Sequence, residues 1–122
     1  MNDVQSALAK ARKQAQALHQ NIQSAAGKDQ AAMRAELSKV ADKARQLGDS
    51  LKTMQNGQRG DEQRFIASAS SALEEAAAKA KTAATAGGAQ LASANAAALE
   101  RTRTAIKALT VAVAAERAKV HA

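Results

Sequence analysis

Two pairs of adjacent carboxylates, Asp61–Glu62 and Glu74–Glu75, are the residues of this 122-residue chain best suited by type to acid–base chemistry. Paired carboxylates divide into acid and base when their surroundings push their pKa values apart. Their positions suggest a plainer use. Asp61–Glu62 opens a helical stretch, where negative charge complements the helix dipole. Glu75 stands four residues before Lys79, the favourable order for an ion pair on a helix surface. Histidine occurs only at 19 and 121. His19 follows Leu18 of an apolar stripe and is expected on its flank, half exposed. With no cysteine there is no thiolate nucleophile, disulfide or Cys-ligated zinc. The Glu-x-x-His pairs that build di-metal centres in helical bundles are missing, as are P-loop, GxGxxG and HExxH patterns. The expectation is a protein with no catalytic, cofactor or metal residues.

Positive charge is the other chemical resource. The formal net charge is +7 and the sequence pI is about 10.2. Lys10, Arg12 and Lys13 form one cluster, and Arg101, Arg103 and Lys107 another; Arg103 and Lys107 are one helical turn apart. These six are the candidate polyanion contacts, because a basic stripe can follow phosphates with salt-sensitive, sequence-independent affinity. The alternative is a solvated face that keeps the chain soluble. A third cluster, Lys39, Lys43 and Arg45, is interleaved with acids, which favours the solvated face there. Phe65 is the single aromatic, so stacking on unpaired bases is not available.

The elements that position these groups follow from glycine and apolar spacing. With no proline, Gly27, Gly57, Gly60 and Gly87–Gly88 divide the chain into four helices, about 3–26, 29–56, 61–86 and 89–120. The glycines can close helices in the left-handed conformation. Asn2 with Gln5 suits a capping box, and Asp29 and Asp61 suit N-caps.

Apolar residues recur at alternating steps of four and three, a heptad seam. Its large members are Leu8, Leu18, Ile22, Met33, Leu37, Val40, Leu47, Leu51, Ile66, Leu73, Leu99, Ile106, Leu109 and Val113, with alanine at many positions between. On the fourth helix the same spacing continues to Val120 and also captures Asn95, Thr102 and Glu116. A buried polar residue in a seam can fix register or oligomeric state. For Thr102 the plainer expectation is a bond to its own helix backbone, and for Glu116 a place beyond the bundle end.

Folding about Gly27–Lys28 pairs Leu18 with Leu37, and folding about Gly87–Gly88 pairs Ile66 with Leu109. The fold expected is therefore all-α: one domain, residues 1–122, an antiparallel four-helix bundle built from two alanine-rich heptad hairpins at about 3–56 and 61–120. Alanine supplies 35 residues, 23 of them from Asp61 onward, so the second hairpin is expected to be the weaker. The fourth helix is expected to outlast its neighbours and leave a basic tip at Arg117, Lys119 and His121. Leu, Ile, Val and Phe total only 18 residues, a composition that warns of disorder in a charged chain. The sustained heptad phase argues against it.

No apolar run reaches the roughly 18 residues of a membrane span, and the N-terminal MNDVQSALAKARK lacks signal-peptide order. A cytoplasmic protein is expected. In composition the chain resembles phasins, alanine-rich helical coats of polyester storage granules, which implies a lipid or granule surface as partner. The first half resembles small helical-hairpin RNA-binding proteins in length and architecture, which implies RNA. The function expected first is structural or interaction-based, a helical adaptor, scaffold or small regulator binding protein partners or itself. A basic accessory protein for nucleic acid or another polyanion comes second, and a phasin-like coat third.

Overall fold

The computed structural model describes residues 3–58 and 60–121, and among these every regular element is a helix. In chain order they are α1 (Asp3–Ala25), α2 (Gln30–Gln55), α3 (Gly60–Ala84) and α4 (Gly88–His121). Asn2 lies outside the described residues, as do the side chains of Val120 and His121.

The helix starts and stops have identifiable causes. Asp29 caps α2 from an extended backbone, its side chain accepting from the Ala32 N–H at 2.8 Å. Asp61 is not a cap: α3 begins at Gly60, and Asp61 sits in the first turn, paired with Arg64. The expected left-handed glycine closures are absent at Gly27 and Gly57. There the chain closes through ordinary turns, Lys28 N–H to the Ala25 carbonyl at 3.0 Å and Gly57 N–H to the Met54 carbonyl at 3.1 Å. Positive φ occurs instead where α3 and α4 begin, at Gly60 (70°) and Gly88 (57°). A side chain would be strained at both.

The four helices pack in a ring. Each contacts its chain neighbour, α4 returns to α1, and α2 and α4 touch weakly across the centre. The core runs through all four, from Leu8, Leu18 and Ile22 of α1 to Leu91, Leu109 and Val113 of α4. Nine of its members on α3 and α4 are alanines, so much of the buried surface there is backbone and methyl.

Helix α3 packs most extensively, against α2 on one side and α4 on the other, while α1 meets both its neighbours less closely. The hairpin expected to be the weaker is thus the more closely packed one. Small side chains let helix axes approach, and closeness recovers dispersion contacts that bulk would otherwise supply. The α2–α3 crossing shows how. Gly48 lies inside α2, and a Cβ there would sit 3.4 Å from the Ser70 carbonyl oxygen. Ser70, buried, donates its hydroxyl to the Gly48 carbonyl at 2.9 Å.

The seam of α4 departs from expectation in part: Thr102, Leu109 and Val113 are buried as the spacing predicts, but other positions differ. Ala98, Ala105 and Ala112 are fully buried, while Leu99 and Ile106 are half-buried and pack against the core from its flank. Leu91, missing from the expected seam, is buried at its start. Two phases of apolar residues overlap on this helix, and close packing buries Ala98 and Ala105 in place of Leu99 and Ile106.

Candidate functional site

Of the six candidate polyanion contacts, the fold brings three onto one face. Helices α1 and α4 meet where His19 Nδ1 lies 2.8 Å from Thr102 Oγ1. The Thr102 hydroxyl donates to its own Leu99 carbonyl at 2.8 Å, as expected. Its single proton is thus spent, so His19 donates its Nδ1–H to Thr102. His19 is half-buried on the seam flank, and the sequence offered no sign of its cross-helix partner.

Beside this contact runs a shallow groove of about 480 Å³, lined by Lys13, Gln16, Ala17, His19, Gln20, Gln23 and Ile106. Arg103 and Lys107 each follow an α4 position that faces α1, Thr102 and Ile106, and both are exposed. Lys13 is exposed as well. The other three candidates go elsewhere. Arg101 turns to α3, its Nε 2.8 Å from a Glu75 carboxylate oxygen. Arg12 is half-buried with an unpaired Nε, and Lys10 stands one turn from Gln14 on the α1–α2 side.

Charge divides sharply between the two sides of the ring. Between Val4 and Ala25, α1 has no acid; α4 has only Glu100 and Glu116, the latter buried. On α2 and α3 acids nearly match bases. The α2–α3 groove has the same volume, about 480 Å³, but Asp42, Asp49 and Glu74 line it together with Arg45 and Lys81. Glu74 pairs across the helices with Lys52 at 3.5 Å, and Glu75 with Arg101, in place of the expected Glu75–Lys79 pair.

The described end of α4 holds a buried acid pair that the sequence reading misplaced. Glu116 is 4% exposed, not beyond the bundle, and Glu62 of α3 is 2% exposed. Lys119 Nζ lies 2.5 Å from Glu62 and 3.8 Å from Glu116, so Lys119 of the expected basic tip is tied back onto α3, while Arg117 is exposed. Burial pushes the Glu62 carboxyl above its ordinary value; a hydrogen bond with Glu116 adds to this and Lys119 opposes it. The hydrogen bond to Glu62 holds Lys119 above the ordinary lysine value.

Asn95 is 5% exposed, and its side-chain oxygen has no hydrogen-bond partner among the described residues. It borders an open cleft of about 400 Å³ with Met33, Leu91 and Leu99. Among the described residues no group of three or more His, Asp or Glu side chains could hold a metal ion. No described helix is long and apolar enough to cross a membrane. Comparison with known proteins finds no matching family model, curated protein or solved structure.

Proposed function

We propose that the protein is a non-enzymatic interaction protein of the cytoplasm, an adaptor, scaffold or small regulator that works through its exterior. Its architecture, on this proposal, is an antiparallel bundle of two hairpins seamed by alanine-rich heptads. Cross-helix contacts such as Arg34 to the Ala86 carbonyl and Ser70 to Gly48 favour opposed directions for α2 and α3.

The observation that carries the functional proposal is where the apolar and titratable groups go. The helices spend their large apolar side chains on one another, and Val111, 44% exposed, is the single large apolar side chain exposed among those described. The buried acids are engaged with each other and with Lys119 at one end, away from the grooves. What remains outside is a charged, grooved surface suited to binding. A coat on lipid or storage granules draws less support, since an interfacial helix needs an exposed apolar face.

The test is recovery of a partner from native lysate, with and without nuclease, at two salt concentrations. A stoichiometric protein partner, or self-association by light scattering, supports the proposal, as does a nuclease-sensitive partner. A monomer that recovers nothing at either salt, or turnover of a substrate by the purified chain, contradicts it.

A further inference from the structure

We infer that the α1–α4 face binds the phosphate backbone of duplex nucleic acid; this rests on the interaction role and names its partner. The juxtaposition is Lys13 on one helix with Arg103 and Lys107 on the other, astride a groove whose polar lining is glutamine and histidine. Arg117 continues the line fourteen residues beyond Arg103, two heptads on and so on the same side of α4. At about 1.5 Å per residue the α4 charges span about 21 Å, against one duplex charge per about 1.7 Å of axis.

Three features select this partner. Phosphate contacts need positive charge and neutral donors, and Gln16, Gln20 and Gln23 supply the latter beside Lys13. Glu100, paired with Arg103 at 3.3 Å, is the single exposed acid on α4, so little on the face repels phosphate. Binding of unpaired bases needs aromatic platforms, and Phe65, on α3, is the one aromatic in the chain. An anionic membrane shares the charge requirement but would also draw on exposed apolar side chains, of which this face offers Val111 at most.

The contacts are to backbone, so affinity is independent of sequence and falls with salt. Neutralising four phosphates gives a log–log salt slope of about −3 to −4, at about 0.9 per phosphate.

The experiment is fluorescence anisotropy of the full chain with a random-sequence 20-base-pair DNA or RNA duplex across a salt series. Parallel arms use the single strand and vesicles of phosphatidylglycerol and phosphatidylcholine. Two triple variants are compared: K13E/R103E/K107E on the inferred face and R45E/K79E/K81E on α2 and α3. Circular dichroism checks that each remains helical.

Supporting results are salt-dependent duplex binding by the parent, at least ten-fold loss in the first triple, and less than three-fold in the second. Equal loss in both triples overturns the face assignment, because net charge alone would then explain binding. Tighter binding to single strands, or to vesicles alone, overturns the duplex assignment. No binding to any probe overturns the inference, yet leaves a nuclease-resistant protein partner in the lysate experiment as support for the interaction role.

Discussion

Helix α3 and helix α1 solve the same packing problem with different side chains. The α3 seam is Ile66 and Leu73 set among Ala69, Ala76, Ala80 and Ala83, all fully buried. The α1 seam relies more on bulk, with Leu8, Leu18 and Ile22 around Ala11 and Ala15. The small seam draws both neighbours close and the bulkier one holds them further off, while shallow grooves flank both helices. Bulk holds axes apart; methyl groups let backbones meet. Electrostatics divide the same way. Glu62, Glu74 and Glu75 of α3 each find a cation on another helix, while Lys13 of α1 has no described ion pair. One side of the ring is thus closely packed and balanced in charge, and the other is more loosely packed and positive.

The sharpest way to break this contrast is a matched pair of truncations. Leu73→Ala on α3 should cost toward the upper end of about 2–5 kcal/mol, because helices on both sides prevent collapse around the cavity. Leu18→Ala should fall toward the lower end of that range, because Leu18 borders an open groove of about 450 Å³. Urea unfolding of both variants measures the difference, and an equal or inverted order would dissolve the distinction between the helices.

Overpacking tests the same point from the other side. Ala80→Leu, at a fully buried α3 position, should destabilise by about 1–3 kcal/mol. Ala17→Leu, exposed between the two α1 grooves, should change the urea midpoint little.

A smaller effect is expected where α1 meets α4. Thr102→Val removes the acceptor of the His19 Nδ1–H and should cost about 0.5–1.5 kcal/mol. Thr102→Ser, which keeps the hydroxyl, should restore most of it. If valine matches threonine in thermal melts, the His19 bond contributes nothing to docking α1.

The acid pair gives the most delicate test, a dependence on pH at the α3–α4 end. Glu62 binds its proton more tightly folded than unfolded, since its pKa is raised above 4.5. Its contribution is therefore fully present below about 4.5 and is lost as pH rises through the higher folded value. Glu62→Gln, which mimics the protonated form, should raise the melting temperature relative to the parent at pH 7 and leave it nearly unchanged at pH 4. A parent–variant difference that does not vary with pH would contradict the raised value.

Much of the fold is legible in the sequence because its punctuation is local. Glycines and Asp29 set helix limits to within two residues, and the four-three spacing marks the buried face of α1, α2 and α3. The errors arise where the deciding term is non-local. On α4, hydrophobicity favours Leu99 and Ile106 over Ala98 and Ala105; only the closeness of α3 explains why the alanines face inward. Gly48 carries a signal that could have been read, since a glycine inside a helix with no cap role often marks a close crossing. Glu116 looked terminal because helix length says nothing of what α3 places opposite it. Of the candidate site, Lys13, Arg103 and Lys107 were identifiable as basic residues, but their gathering on one face depends on the return of α4 to α1.

The central claim, that the loosely packed, positive side of the ring is the working surface, is tested most directly by hydrogen–deuterium exchange with and without duplex at low salt. Slowed exchange confined to α1 and the facing turns of α4 around Arg103 and Lys107, with α2 and α3 unchanged, is the expected result. Protection centred on α2 and α3, or spread evenly over the four helices, would contradict it.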